Sequence, residues 1–117
     1  MFSAPNLALP LAVEQVSAVL TGLPLPVNEY GTETPRIDRN SGLPLFSWPV
    51  LLICGGRSST VLVKVPGVPP VADLAPGIGI GFSDLVAIPW SRDGRGGVAF
   101  SARGVTLLST GEVFGDA

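Results

Sequence analysis

The chain has no histidine, a single cysteine, and few charges or aromatic rings, and each shortage narrows what it can do. Without imidazole, Ser-His-Asp and Cys-His nucleophile systems are excluded, and so are histidine metal sites. The acids of the middle region, Asp38, Asp73, Asp84 and Asp93, stand apart, with no pair spaced for general acid–base work. No catalysis, cofactor or metal is expected. Cys54 has no second cysteine to bridge, and its apolar run reads as the setting of a buried structural thiol in a reducing compartment. No cation precedes Arg36, so a secretory leader with a basic start is not expected. The uncharged apolar stretches stop short of the ~20 residues that cross a bilayer. These readings predict a cytoplasmic protein.

What is abundant is glycine and proline, 15 and 12 of 117 residues. In a helix interior Pro costs roughly 3 kcal/mol and Gly about 1, so this density suits short strands joined by turns. With 46% hydrophobic and 14% charged residues, the chain has the means to build an interior and the length for one domain. The net charge of -2 argues against coating duplex DNA by bulk positive charge. Its distribution says more: residues 36–103 hold all seven cations against four acids, between acidic ends.

The organising stretch is Ile37 to Val65, a turn, a long apolar strand, a Gly55-Gly56 turn and a β-branched strand. Alternation places Phe46, Trp48, Val50, Leu52 and Cys54 on one face of the first strand, and Val61, Val63 and Val65 inward on the second. Pro49 lacks an amide hydrogen and predicts an edge or bulge. Before this hairpin, residues 1–10 read as a loose arm. Residues 11–20 fit a strand and also a helical stripe, with the flanking Pro10 and Gly22 favouring the strand. Residues 22–44 form a long, loop-rich approach of the kind that is often functional. After it come a Pro-rich crossover, a strand over 78–88 bent near Ser83-Asp84, a tip at Pro89 to Gly97, and a partner strand over 98–108. Residues 109–117 read as a flexible tail. Five strands in this order, spanning 11–108, predict an all-β, OB-fold-like Greek-key barrel with long loops.

Two features invite a ligand reading. The GIGIG run at Gly77 to Gly81 lacks phosphate-loop spacing and any following helix, so its glycines are read as a strand face against which a backbone or ring packs closely. Rings beside cations are the stronger signal, because single-stranded nucleic acid is held by stacking and phosphate pairing. Trp90, Arg92 and Arg95 share a predicted hairpin tip. Phe46 and Trp48 lie near Arg36 and Arg39, where core packing and base stacking are both open. Arg57, Lys64 and Arg103 taken singly suit a solvated surface. Affinity falls about 0.7 log units per log unit of salt for each neutralised phosphate, so three or four contacts give a slope of about -2 to -3. Tight binding then calls for a dimer or assembly along the strand.

DRNSGLPLFSWPVLL, TVLVKV, the APG segment and GGVAFSARGV together resemble small proteins of actinobacterial integrative plasmids, usually labelled plasmid replication, integration and excision activators. The resemblance covers about residues 36–105 and rests on spacing and on the words SGLPL, VLVKV and FSARG. A shorter match is similar to filamentous-phage gene V-type single-stranded-DNA-binding proteins, which are dimeric OB-folds. By position that likeness implies DNA contacts at Arg36, Arg39, Arg57 and Lys64. The extra N-terminal arm and the sparser aromatics depart from it, so stacking residues are not carried over. The expectation is a non-catalytic single-stranded-DNA-binding protein of a plasmid, integrative element or phage. Its candidate contacts are Arg36, Arg39, Phe46, Trp48, Arg57, Lys64, Trp90, Arg92 and Arg95, and it is expected to form a homodimer or higher oligomer. The alternative is a regulator or adaptor that activates replication or excision through contacts with replication proteins.

Overall fold

The computed structural model describes residues 9–12, 16–29, 31–69, 73–108 and the backbone of 113–115. Among them there is no α-helix, and ten strands form one curled, open sheet, a half-barrel. In chain order they are β1 (Leu9–Pro10), β2 (Val16–Leu20), β3 (Leu25–Pro26), β4 (Leu45–Cys54), β5 (Arg57–Pro66), β6 (Gly79–Ser83), β7 (Val86–Arg92), β8 (Arg95–Ser101), β9 (Gly104–Leu107) and β10 (Val113–Gly115). Side by side they run β1-β7-β8-β5-β4-β2-β6-β9-β10, with β3 on β4. The all-β expectation holds; the expected five strands are ten.

The larger count has a physical origin. The two strands expected after the crossover are each bent into halves, β6 with β7 and β8 with β9. Register carries through the bend unchanged, since Ser83 pairs with Gly104 and Val86 with Ser101. Asp84 makes the turn at φ 50°, and the Arg103 amide donates to the Ser83 carbonyl at 2.9 Å. An exposed Arg103–Asp84 ion pair at 3.9 Å spans the same corner. The bend sends the halves to opposite arms of the sheet: β6 lies against β2, and β8 pairs in parallel with β5. The short strands β1, β3 and β10 make up the rest. Val113–Gly115, expected in a free tail, pairs with Thr106–Gly104, and Leu9–Pro10 of the expected arm pairs with Val86–Ala87. The rest of that arm and of that tail, and residues 13–15 of the first expected strand, lie outside the described residues.

The central hairpin follows its alternation. Trp48, Val50 and Leu52 of β4 and Val63 and Val65 of β5 are buried, with Ala18, Leu20, Ile80, Phe82, Val105 and Leu107 facing them from the other strands. The Gly55-Gly56 turn, at φ 58° and 78°, is the two-residue type whose twist suits a hairpin, and it holds all ten pairs of β4 and β5 in register. Pro49 stays in the ladder with Leu62. Its carbonyl accepts from Thr21 on the opposite edge, and a strand residue's N–H and C=O point the same way. The missing amide hydrogen therefore falls where that edge passes from β2 to β3, and no bond to β5 is lost.

Two expectations change. Cys54 is exposed, because it ends β4 beside the turn at the open mouth of the half-barrel, beyond the reach of the core. The glycine face of β6 is filled by the chain itself: a Cβ on Gly79 or Gly81 would stand 3.4 or 3.5 Å from the Leu108 methyls.

Candidate nucleic-acid interface

The tip of the β7–β8 hairpin is built by a two-residue turn, Asp93-Gly94, with φ 53° and 77°. That turn sets the register, pairing Arg92 with Arg95, Ser91 with Gly96 and Trp90 with Gly97. Directly opposed residues point to the same side of a sheet, so Trp90, Arg92 and Arg95 share its outer face. They line an open hollow of about 620 Å³ together with Asp93.

Gly97 is what gives the ring its posture. A Cβ placed there would lie 3.0–3.1 Å from Cζ2, Cε2 and Nε1 of Trp90, too close for any side chain unless the ring moved. The three atoms form the Nε1 edge of the indole, so that edge of the ring lies close over Gly97. Trp90 as a whole remains 47% exposed. The tip thus offers a seated, solvent-facing ring without a core to fill.

The two arginines are exposed and face each other across the ladder. Like charges directly opposite cost roughly 0.2–1 kcal/mol, and among the described residues neither arginine forms an ion pair that would relieve this. An anion placed between them would turn that repulsion into attraction. Asp93 at the turn leaves the tip a net single positive charge.

The other expected contacts are distributed differently. Lys64 pairs with Ser101, which puts it on the same outer face as Trp90 but nearer the corner. Sheet spacings place it roughly 16 Å from Trp90. Arg57 pairs with Cys54 on the inner-facing side and lines the open mouth. Arg36 and Arg39 are exposed on the approach to β4, where Arg36 exchanges backbone bonds with Val27 and Leu45. The adjacent turn is held by Asp38, whose carboxylate accepts from the Ser41 amide at 2.9 Å and hydroxyl at 2.7 Å.

Phe46 and Trp48 leave the list of candidate contacts. Trp48 is 1% exposed in the core, and Phe46 packs against that core. The alternation that points them inward is the same one that buries Val50 and Leu52. The indole N–H of Trp48 has no acceptor among the described residues, a desolvation cost on the order of 1–3 kcal/mol set against the burial of the largest side chain of the core.

Gly97 is the site residue that reading for rings and cations overlooks. Its signal was present: a two-residue turn at Asp93-Gly94 by itself pairs Trp90 with Gly97. Among the described residues no cluster of three His, Cys, Asp or Glu could hold a metal ion, and no helix is long and apolar enough to cross a membrane. No family model matches the chain, and no curated protein or solved structure matches it either.

Proposed function

We propose that the chain is a non-catalytic single-stranded-DNA-binding protein of a plasmid, integrative element or phage. One observation carries this: a half-exposed tryptophan seated on glycine, on the same face as two directly opposed arginines with no ion-pair partner among the described residues. A base stacks on the open face of Trp90, and a neighbouring phosphate sits between Arg92 and Arg95. Every base has a face to stack, so the contact reads no sequence.

The strand pairing supports an OB-type barrel behind this site. If β6–β7 and β8–β9 are each counted as one bent strand, there are five long strands. The first pairs with the second and the fourth, the third with the second and, in parallel, with the fifth. The Trp90 tip then joins the fourth and fifth strands, and the Arg36–Arg39 approach joins the first and second. These are the two loops with which OB-folds grip oligonucleotides. Arg36 and Arg39 extend the contact along the backbone, and a homodimer supplies a second tip.

Titrating a labelled oligo-dT at low ionic strength tests the reading. Salt-sensitive binding with quenching of the exposed tryptophan is expected; no binding ends the proposal. A second reading, a regulator or adaptor working through contacts with replication proteins, draws on the negative net charge and on the apolar residues of the outer sheet face. Capture of a replication protein by a chain that binds no oligonucleotide would favour it.

A further inference from the structure

Among the described residues, the outer face of the β4–β5 hairpin presents exposed apolar side chains. Register sorts its residues into four rows: Leu25, Ser47 and Lys64; Pro49 and Leu62; Val19, Leu51 and Thr60; Ser17, Ile53 and Ser58. Leu25 is 66% exposed, Leu62 61% and Ile53 36%. Beyond Val19 the surface continues over Gly79, where the exposed Leu108 lies. Lys64 is the one charge in these rows.

We propose that this face is the contact between two copies of the chain, packed sheet on sheet about a two-fold axis. Three arguments select a second copy. β4 and β5, each about 33 Å long, with the shorter β2, β3 and β6 beside them at about 4.8 Å spacing, present on the order of 450–500 Å² before side-chain relief is counted. Two such faces together bury about 1,000 Å², the lower bound for a specific interface. A two-fold contact uses the same patch twice, so a charged patch would repel itself; this one is almost neutral. Its single cation also sits at one end. With facing strands antiparallel, each Lys64 lies over the second copy's Ser17 and Ser58 hydroxyls, and the two ammonium groups are separated by about 20 Å. A nucleic-acid strand crossing the same face would find no ring to stack on and only one cation. The dimer leaves both Trp90 tips free, projecting past β8.

Light scattering on the full chain without nucleic acid tests this independently of any DNA reading. Over about 1 to 200 µM the mass should rise towards twice the 12.0 kDa protomer, because association follows mass action. Leu62→Glu, on a residue already exposed, should keep the mass at 12.0 kDa with an unchanged circular dichroism spectrum. Val98→Glu, equally accessible but lining the mouth on the opposite side of the sheet, should dimerise as the parent does. A monomeric parent over this range overturns the proposal, as does a dimer that survives Leu62→Glu. A monomeric parent whose oligo-dT binding is abolished by Leu62→Glu would assign the face to nucleic acid instead.

Discussion

Two tryptophans of one short chain sit in opposite situations, and the contrast is testable. Trp90→Ala removes a ring that fills no core, so thermal stability should barely change while oligo-dT affinity falls by roughly 1–3 kcal/mol. Trp48→Ala empties the centre of the half-barrel and should cost about 3–5 kcal/mol in a denaturation experiment. If both substitutions lower stability alike and neither alters binding, Trp90 is structural. Gly97 offers a finer probe, because its φ is not among the positive ones and alanine there tests space alone. Gly97→Ala should push the indole off its seat and lower affinity by part of the Trp90→Ala loss. In the Trp90→Ala background it should lower affinity no further, the non-additivity expected of residues in contact. Fluorescence titration of the three variants measures this.

At the scale of elements, turn chemistry decides where charge is presented. The Asp93-Gly94 turn brings Arg92 and Arg95 face to face, and the Asp38–Ser41 bonds shape the basic approach to β4. Asp38→Ala deletes both acceptor contacts in a partly buried turn, worth about 1 kcal/mol each at most. The Ser41 amide should then exchange with deuterium roughly five-fold faster or more, with little change in global stability. Unchanged exchange would mean that the backbone bonds Gly42 N–H to Asp38 O and Asp38 N–H to Leu43 O hold the turn unaided. Elements were also where the sequence was most readable. Alternation over β4 and β5 grouped the residues of each face and named Val63 and Val65 as inward, because a period of two leaves a strand one inward set once a core exists. The bends at 84–85 and 102–103 were only half legible. Asp84 takes its φ of 50° without a glycine to announce it, and the Arg103-to-Ser83 bond that spans the corner joins residues far apart in sequence.

The whole molecule limits affinity. With Arg92 and Arg95 as phosphate contacts, the slope of log affinity against log salt should be about -1.4 for one protomer. Engaging Arg36 and Arg39 as well would steepen it to about -2.8. Oligo-dT titrations at several salt concentrations distinguish the two, and a slope near zero would leave no role for the cations. So shallow an electrostatic term makes a second tip valuable, since two linked sites raise apparent affinity without any new contact.

Composition and period alone determined the all-β class, the central hairpin with the residues that share each of its faces, the absence of histidine chemistry, and the grouping of Trp90 with Arg92 and Arg95. These are local consequences of backbone preference, side-chain alternation and two-residue turns. Only the tertiary structure decided that Trp48 and Phe46 face a core while Trp90 faces solvent. It also decided that Gly97 seats the indole, that Leu108 packs on the glycine face, that Cys54 lies open at the mouth, and that Leu25, Ile53 and Leu62 of the outer face are exposed. The physical reason is that burial belongs to the curled sheet as a whole. A ring is inside or outside according to which strands curl over it, and no stretch of sequence carries that information alone.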